Sequence, residues 1–491
     1  MMQKLILILV LLIFSCKPQL KNNEKEALDN QPKTKPNIIL IFTDDQGYGD
    51  LGCYGSPNIE TPNIDRMAAE GMRLTSFYAA AVCGPSRAQL MTGSYHARVS
   101  HSFNELPESN FGLNPNEITL AEVLKGAGYR TMHIGKWHLG DAPEFLPTQQ
   151  GFDRFFGFPY SHDMWPYHCN TALKNLEDTD LMQQILDRKE EVGYTVGGSW
   201  SFPPLPLMNN EKVIELNPNQ EQMTIRYTEK ALEFIEDNSK EPFFLYLAHT
   251  MPHTHLFVSE KFKGKSDRGL YGDAIMEVDW STGEILKKLK DLGIDQNTLV
   301  IFSSDNGPTP KYGSDGGSAG PLRGAKGSMY EGGMRVPGIF RWPGTIPSGI
   351  RSNAMASTID LLPTFAYLAD TQIPNDRVID GKNLVPLLKE ENKNSPHKFL
   401  HYFGGSGSQK PSNYQAIRND KWKLFVKRNI SGEFIPVELY NLGTDPSEKY
   451  DKLSQYPEIA NDMLKEAEHF YMELEENRRP IGESKNKSVS K

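Results

Sequence analysis

Four short segments, led by a continuous apolar run and otherwise similar to it, constrain this sequence more than any other feature. They are Asn37–Thr43, Arg130–Ile134, Phe243–Ala248 and Thr298–Ser303. Apolar runs of this length, without polar alternation, indicate strands buried on both faces, as in a parallel sheet. Helical patterns lie between and after them, at Glu117–Gly126, Gln220–Asn238, Leu270–Leu292 and Ser357–Ala369. This alternation predicts an α/β domain around a large, mostly parallel sheet flanked by helices.

The N-terminus reads as an export signal. Lys4 precedes the apolar stretch Leu5–Phe14, which is too short to span a membrane and is typical of a signal peptide over residues 1–16. Its end, Ile13-Phe14-Ser15-Cys16, resembles a bacterial lipobox, in which the Cys is lipidated after cleavage. The alternative is a plain secretory signal that happens to contain Cys. We expect an exported bacterial lipoprotein, anchored to the membrane through Cys16 and facing the periplasm or the cell surface.

The rest of the chain divides by composition. Residues 17–36 are polar and predict a flexible tether, and the large α/β domain is predicted over residues 37–396. Short strand candidates then follow at Ala416–Arg418, Trp422–Lys427 and Val437–Tyr440, before an amphipathic helix at Pro457–Asn477. They predict a small C-terminal α+β subdomain over residues 397–477, followed by a frayed tail over residues 478–491.

Charge and cysteine content exclude several classes of protein. The net charge of -9 argues against a nucleic-acid partner, because phosphate binding needs concentrated Lys and Arg. Four cysteines are too few for a disulfide scaffold. Besides Cys16 and Cys83, the chain has Cys53 and Cys169, and the sequence leaves open whether these two pair or stay as free thiols.

A polar cluster follows each of the four predicted strands. The clusters are Asp44-Asp45, Gly135–His138, His249–His253 and Ser304–Gly307. Ligands bind at the carboxyl ends of strands in open α/β sheets, so we expect the clusters to converge on one site. A single cluster of this kind would more simply be a turn.

The oxygen-bearing residues of these clusters suggest a metal site. Asp44, Asp45, Asp305 and Asn306 offer only oxygen ligands, which favours Ca²⁺, with Mg²⁺ as the fallback. Two separate solvated turns are the alternative. His249, His253 and His255 raise a zinc site as a competing interpretation, although no Cys or second His pair obviously completes it.

The most specific pattern is Cys83-Gly84-Pro85-Ser86-Arg87. By itself it could be a helix start with Pro in the first turn. Followed by Leu90, Thr92 and Gly93, this Cys-x-Pro-x-Arg pattern resembles the modification signature of type I sulfatases, in which the Cys is oxidised to Cα-formylglycine.

The resemblance extends from Asn37 to about Glu476. It includes Asp44–Gly47, Gly135–Gly140, Ser304–Gly307, Gly324–Gly333 and Glu438–Leu442. The segment Gly157–Asp163 resembles the arylsulfatase A and N-acetylgalactosamine-6-sulfatase branch specifically. The resemblance implies the fold of the alkaline phosphatase superfamily and an activity on sulfate monoesters.

The family's functional residues map onto this chain by motif. The implied metal ligands are Asp44, Asp45, Cys83 as formylglycine, Asp305 and Asn306. Cys83 is the implied nucleophile, as the formylglycine hydrate. Arg87 and Lys136 would stabilise that hydrate, and His138 would act as the base that releases sulfate. Lys326 and His253 would bind the sulfate and Ser161 would line its pocket. His253 is also the preferred general acid, although His255 occupies a place where the family often has Pro and competes for that role.

The implied substrate is a sulfated polysaccharide or oligosaccharide, and the implied partner is a formylglycine-generating or sulfatase-maturing enzyme. Two rival functions remain: a phosphonate or phosphodiester hydrolase of the same superfamily, and a catalytically dead glycan-binding lipoprotein. The segment Pro159–Asp163 and the Lys326 loop favour sulfate over phosphate, and the intact Cys83 and Arg87 argue against a dead site. Three aromatic residues could stack on sugar rings or fill the core: Trp165, Trp200 and Phe202.

Overall fold

The computed structural model describes residues 35–170, 176–193, 201–404, 413–486 and 488. The signal peptide with Cys16, most of the tether and Trp200 lie outside the described residues. The division between the catalytic domain and the C-terminal subdomain at residue 396 stays a prediction.

Eleven of the described strands form one large sheet. These strands are β1 (Asn37–Thr43), β2 (Met72–Tyr78), β4 (Arg130–Lys136), β5 (Arg154–Phe158), β6 (Pro206–Asn209), β7 (Lys212–Leu216), β8 (Phe243–Ala248), β9 (Thr298–Ser304), β10 (Arg335–Arg341), β11 (Ile350–Ser352) and β12 (Ala356–Ser357). Their order is β11-β2-β10-β9-β1-β8-β4-β5-β6-β7, with β12 also paired to β2. The five central strands from β9 to β5 are all parallel, and antiparallel pairing appears only at β10, β6 and β7. The prediction of a mostly parallel sheet is confirmed.

Both faces of β1 are covered, which explains its uninterrupted apolar sequence. Ile39 and Ile41 belong to one apolar cluster and Ile38, Leu40 and Phe42 to the other. All five side chains are fully buried. Alternate side chains of a strand point to opposite faces, so a strand covered on both sides must be apolar throughout.

Helices form the two covering layers. In chain order the described helices are α1 (Pro62–Ala69), α2 (Cys83–Thr92), α3 (Leu120–Gly126), α4 (Thr179–Val192), α5 (Met223–Asp237), α6 (Leu270–Asp291), α7 (Glu331–Met334), α8 (Leu361–Leu368), α9 (Val385–Leu388) and α10 (Pro457–Glu476). The first cluster holds apolar side chains of α1, α5 and α6, and the second holds those of α2, α3 and α8. In the part of the chain that the structure describes, none of the helices has the length and apolar character needed to span a membrane.

Capping explains why α3 begins later than the sequence pattern predicts. The Thr119 hydroxyl accepts a hydrogen bond from the backbone N–H of Glu122, and the Glu122 side chain accepts one from the N–H of Thr119. This capping box fixes the helix start at Leu120, three residues after Glu117.

A second, antiparallel sheet follows the large one. It contains β13 (Leu400–Gly404), β14 (Asn413–Arg418), β15 (Trp422–Arg428) and β16 (Phe434–Asn441), in that order. Apolar residues of α10 share a core with these strands. The predicted small C-terminal α+β region is therefore confirmed as architecture.

The prediction of a frayed tail is wrong for the described part of residues 478–486. Gly482–Glu483 (β17) pairs with Phe111–Gly112 (β3) as a short antiparallel ladder. The backbone N–H of Arg479 donates to the Arg98 carbonyl at 2.7 Å, and its guanidinium lies 2.8 Å from Glu117. These contacts join residues far apart in sequence, so no local pattern could indicate them.

The cysteine question left open by the sequence has an answer here. Cys53, Cys83 and Cys169 are all free thiols. Cys83 and Cys169 are buried and Cys53 is half-buried, which fits the interpretation of Cys53 and Cys169 as unpaired thiols packed in the protein.

Candidate active site

The carboxyl ends of β1 and β9 bring two of the predicted clusters together. The strands are parallel neighbours, and Thr43 pairs in register with Ser304. Asp44 and Asp305, the residues that follow, therefore leave the sheet side by side. The N–H of Asp45 donates to Oδ1 of Asp305 at 3.1 Å, and both carboxylates are buried. The predicted convergence is what a parallel register produces.

Helix α2 carries the predicted nucleophile into this cluster. Cys83 is its first residue, and every residue of the helix is buried. The Cys83 Sγ lies 3.4 Å from Oδ1 of Asp44 and 3.8 Å from Oδ1 of Asp45. Arg87 follows one turn later on the same side of the helix. One stretch of sequence thus supplies both a nucleophile position and a cation.

Each of the three carboxylates forms an ion pair with a different cation. Lys136, at the end of β4, places Nζ 2.6 Å from Oδ2 of Asp44. The Arg87 guanidinium lies 2.8 Å from Oδ2 of Asp305. Lys326 Nζ lies 2.7 Å from Oδ1 of Asp45.

Two of these cations also contact the predicted nucleophile or a predicted substrate-binding residue. Lys136 Nζ donates to Oγ of Ser161 at 3.2 Å, and Lys326 Nζ lies 3.1 Å from Sγ of Cys83. The site can therefore present several positive groups to an anion that lies next to position 83.

Glycines allow the Lys326 loop to reach the site. The N–H of Gly307 donates to the carbonyl of Gly333 at 3.0 Å. A Cβ on Gly307 would lie 1.8 Å from the carbonyl oxygen of Gly332, so no other residue fits there. On the other side of the loop, the N–H of Gly327 donates to the Ala81 carbonyl. Lys326 is thus held between the Asp305 turn and the strand that leads to α2.

The three histidines of the zinc interpretation do not converge. His253 Nε2 lies 3.5 Å from Oδ2 of Asp45. The His249 ring instead contacts Oγ of Ser281 in α6, and the His255 ring packs 5.2 Å from that of His168. Among the described residues, one group has ligand atoms close enough to share a metal ion, and it comprises Asp44, Asp45, Cys83 and His253. A group with one imidazole does not favour zinc.

His138 is placed at the edge of the site by β4 and an adjacent loop. Its Nε2 lies 3.2 Å from the Glu105 carbonyl, and Nδ1 has no hydrogen-bond partner in the described residues. Its φ of 63° is in the left-handed region, which is uncommon for a residue with a Cβ. Sparsely populated backbone conformations of this kind are common at functional sites.

Burial and charge perturb the ionisation of these groups. Burial raises the pKa of the Cys83 thiol well above its ordinary value, and Asp305 and Asp44 raise it further. Burial also raises the pKa of Asp305 to about 6, with Asp44 adding to the effect. Burial alone would lower the pKa of Lys136, but Asp44, Cys83 and Asp305 together outweigh burial and raise that pKa. The thiol is therefore protonated at neutral pH, and as such a poor nucleophile.

The oxygen atoms fit a hard divalent cation. Oδ1 of Asn306 is buried without a hydrogen-bond partner, while Nδ2 of the same side chain donates to Asp45 and to the Gly307 carbonyl. An amide oxygen left unpaired beside three buried carboxylates is the kind of ligand that Ca²⁺ or Mg²⁺ prefers. Asp44, Asp45, Asp305 and Asn306 would hold such an ion.

Sequence reasoning missed several polar residues at the site. Thr309 Oγ1 donates to Oδ2 of Asp45 at 2.7 Å, and Asn104 Oδ1 accepts from the N–H of Gly84 beside the nucleophile. The Glu105 carbonyl orients His138. Each is a single polar residue in a loop, which gives no signal in one sequence. Trp165, one of the aromatic residues considered for sugar stacking, is only 2% exposed and packs in the core.

This arrangement suits one class of chemistry. Cations on either side of a buried nucleophile position can hold a small tetrahedral anion while its ester bond breaks, which defines a hydrolase of anionic esters. The chain belongs to the sulfatase family: the model described as Sulfatase matches residues 36–371. A second model, described as N-sulphoglucosamine sulphohydrolase, C-terminal, matches residues 325–473. The protein is a sulfuric ester hydrolase.

Similar proteins extend over most of the chain. It is 40% identical to arylsulfatase A of Homo sapiens over 441 residues, which cover 85% of this chain and 83% of that protein. It is 42% identical to N-acetylgalactosamine-6-sulfatase of Rattus norvegicus over 451 residues, covering 84% and 81%. Among solved structures, Ps i-CgsB in complex with k-i-k-neocarrahexaose superposes with a TM-score of 0.72 at 33% identity, covering 89% of this chain and 93% of that one. The predicted family and branch are confirmed.

Proposed function

We propose that this enzyme hydrolyses sulfate monoesters of a sulfated carbohydrate through Cys83 after its conversion to Cα-formylglycine. The observation that carries the proposal is the position of Cys83. Its Sγ lies at the start of a buried helix, 3.4 Å from a carboxylate of the candidate metal group and 3.1 Å from Lys326 Nζ. A nucleophile at that place would meet a sulfate ester bound by the surrounding cations.

The unmodified thiol is unsuited to the reaction. Its pKa is raised by burial and by Asp305 and Asp44, so the nucleophilic thiolate is scarce. The Cys-x-Pro-x-Arg pattern supports conversion by a formylglycine-generating or sulfatase-maturing enzyme, which is a partner we propose. A hydrated aldehyde at position 83 offers two hydroxyls, one to attack sulfur and one whose deprotonation releases the product.

Ca²⁺ is the proposed cofactor, held by the oxygens of Asp44, Asp45, Asp305 and Asn306. When bound, the cation would supply positive charge to the sulfuryl oxygens and to the hydroxyl at position 83. Arg87 fixes the orientation of Asp305 within this set, and its Nη1 donates to the Lys136 carbonyl at 2.7 Å. Because the Arg87 guanidinium contacts both Asp305 and the Lys136 carbonyl, it also fixes the end of the strand that carries Lys136.

The remaining side chains would divide binding and proton transfer. Lys326, His253 and Ser161 would hold the sulfate oxygens. Lys136, whose Nζ bridges Asp44 and Ser161, would help to stabilise the hydrate at position 83. His253 would protonate the leaving oxygen of the sugar. His138 would accept the proton that leaves position 83 when sulfate is released.

A carbohydrate substrate is supported by the names of similar proteins. They include N-acetylgalactosamine-6-sulfatase, and a sulfatase-like structure solved with a neocarrahexaose. We also propose that the mature chain is exported and anchored to the bacterial membrane through a lipid on Cys16, facing the periplasm or the cell surface. The lipobox-like sequence before Cys16 supports the anchor, and export would bring the enzyme to polysaccharides outside the cytoplasm.

Parallel assays test the reaction class. Enzyme produced with a maturation enzyme is given 4-nitrophenyl sulfate and 4-nitrophenyl phosphate, and the Cys83→Ala variant is assayed beside it. We expect a higher kcat/KM for the sulfate and loss of nearly all turnover in the variant. A preference for the phosphate, or full activity of Cys83→Ala, would contradict the proposal.

A further inference from the structure

Asp163 is a largely buried carboxylate beside the site that has no role in the reaction described above. It lies two residues after Ser161, and its side chain is 15% exposed. Its Oδ1 is buried and has no hydrogen-bond partner in the described residues. A buried polar oxygen without a donor costs free energy, so it needs an explanation.

The groups around Asp163 stabilise its charged form, and the Ser161 hydroxyl is one of them. Imidazoles of His162, His168 and His253 lie around it, with His168 Nε2 at 3.9 Å from Oδ2. Burial raises the pKa of Asp163, but these imidazoles outweigh burial and lower it, so the group is an anion at neutral pH. No Lys or Arg of the described residues forms an ion pair with it, whereas Asp44 has Lys136.

Three ordinary roles do not apply to this carboxylate, and a fourth, positioning of the neighbouring His253, predicts a different result in the experiment that follows. It is outside the group of residues whose ligand atoms could share a metal ion. A carboxylate repels sulfate, so it does not bind the anion itself. It caps no described helix. What an ionised carboxylate does well is accept hydrogen bonds, because it has only acceptor sites.

We propose that Asp163 accepts a hydrogen bond from a free hydroxyl on the sugar ring that carries the sulfate. Ser161 contacts Lys136 Nζ at 3.2 Å, which places the loop that holds Asp163 against the proposed sulfate pocket. The inference rests on the proposed function and narrows the substrate. The enzyme should favour a sugar sulfate with this hydroxyl over a similar ester that lacks it. When the ester without the hydroxyl is bound, Oδ1 of Asp163 stays without a hydrogen-bond donor.

The test combines a change in the protein with a change in the substrate. Wild type and Asp163→Asn are assayed on each regioisomeric monosulfate of methyl galactoside and methyl N-acetylgalactosaminide, and on 4-nitrophenyl sulfate. The best sugar substrate is then compared with its monodeoxy analogues. Asp178→Asn is the matched control, because it makes the same carboxylate-to-amide change at a residue that caps α4 and is not one of the predicted catalytic groups.

We expect Asp163→Asn to lower kcat/KM for the intact sugar sulfate by about 10- to 100-fold, chiefly through a higher KM. A loss of this size is what removing a hydrogen bond to a charged group typically causes. One deoxy analogue should show a similar loss with wild type, and Asp163→Asn should cost that analogue nothing further. Asp178→Asn should not distinguish the intact sugar from the analogues.

Equal losses for the intact sugar and every deoxy analogue would overturn the proposal, because Asp163 would then act through a neighbour such as His253. Turnover of 4-nitrophenyl sulfate by wild type, with no turnover of any sugar sulfate, would also overturn it. If wild type cleaves no sulfate ester at all, the proposed function itself fails.

Discussion

Replacing His253 by alanine tests which histidine protonates the leaving group. A sugar alkoxide is a poor leaving group and needs a proton as the ester bond breaks, whereas 4-nitrophenolate leaves without much help. His253 Nε2 lies 3.5 Å from Oδ2 of Asp45, within the group around Cys83. His255 instead packs against His168, with ring centroids 5.2 Å apart. Only the first ring is placed to reach an oxygen bound at position 83.

General acid catalysis typically contributes about 10²–10⁴-fold. We therefore expect His253→Ala to lower kcat for a sugar sulfate by that factor and to lower kcat for 4-nitrophenyl sulfate far less. His255→Ala is the matched control, because it removes an equally buried imidazole two residues away. Its losses should be similar on the two substrates, since it perturbs packing and binding.

The assay measures kcat and KM of both variants on both substrates, with the metal content of each variant checked first. For each variant, the loss of kcat on the sugar sulfate is divided by the loss on 4-nitrophenyl sulfate. This ratio identifies the acid, because a general folding defect lowers both activities together. If His255→Ala shows the loss that depends on the leaving group and His253→Ala does not, the acid is assigned to the wrong residue.

Three further predictions concern the metal, the C-terminal sheet and pH. Asp305→Ala should lower the calcium content found by elemental analysis and reduce stability, and stoichiometric zinc in active wild type would contradict the calcium assignment. Glu331→Ala should cost about 3–5 kcal/mol in urea unfolding, because Arg418 and Arg335 would lose this carboxylate and buried Lys423, 3.0 Å away, would keep only Glu448; an unchanged midpoint would refute this. Burial lowers the pKa of His96 to about 4 and of His249 to about 3, so the unfolded chain binds more protons below pH 6.5. Stability should therefore fall as pH drops below 6.5, by about 2 kcal/mol per histidine at pH 5, and a constant unfolding free energy from pH 7 to pH 5 would contradict it.

The strands that could be predicted from sequence are those buried on both faces. Asn37–Thr43 and Phe243–Ala248 have the predicted bounds because their apolar runs stop where the chain leaves the sheet. Strand β10 gave no such pattern. Its Pro337 lies at a register shift between Val336 and Gly338, the kind of irregularity that lets a proline sit inside a sheet.

The residues of the candidate site also fall into those that the sequence predicts and those that it does not. Asp44, Asp305 and Lys136 were predictable because each directly follows or ends a buried strand, and parallel strands end at one edge. Thr309 and Asp163 lie in loops whose paths depend on tertiary contacts, and a single polar residue in a loop carries no periodic signal. The paired end of the chain, near Gly482, was missed for the same reason.

The central claim is that position 83 carries an aldehyde in the active enzyme. Mass spectrometry of the tryptic peptide that ends at Arg87, taken from a preparation with measured turnover of a sulfate ester, tests it most directly. We expect formylglycine or its hydrate in place of the thiol, in a fraction that rises with specific activity across preparations made with and without a maturation enzyme. A fully active preparation in which Cys83 is entirely thiol would contradict the account.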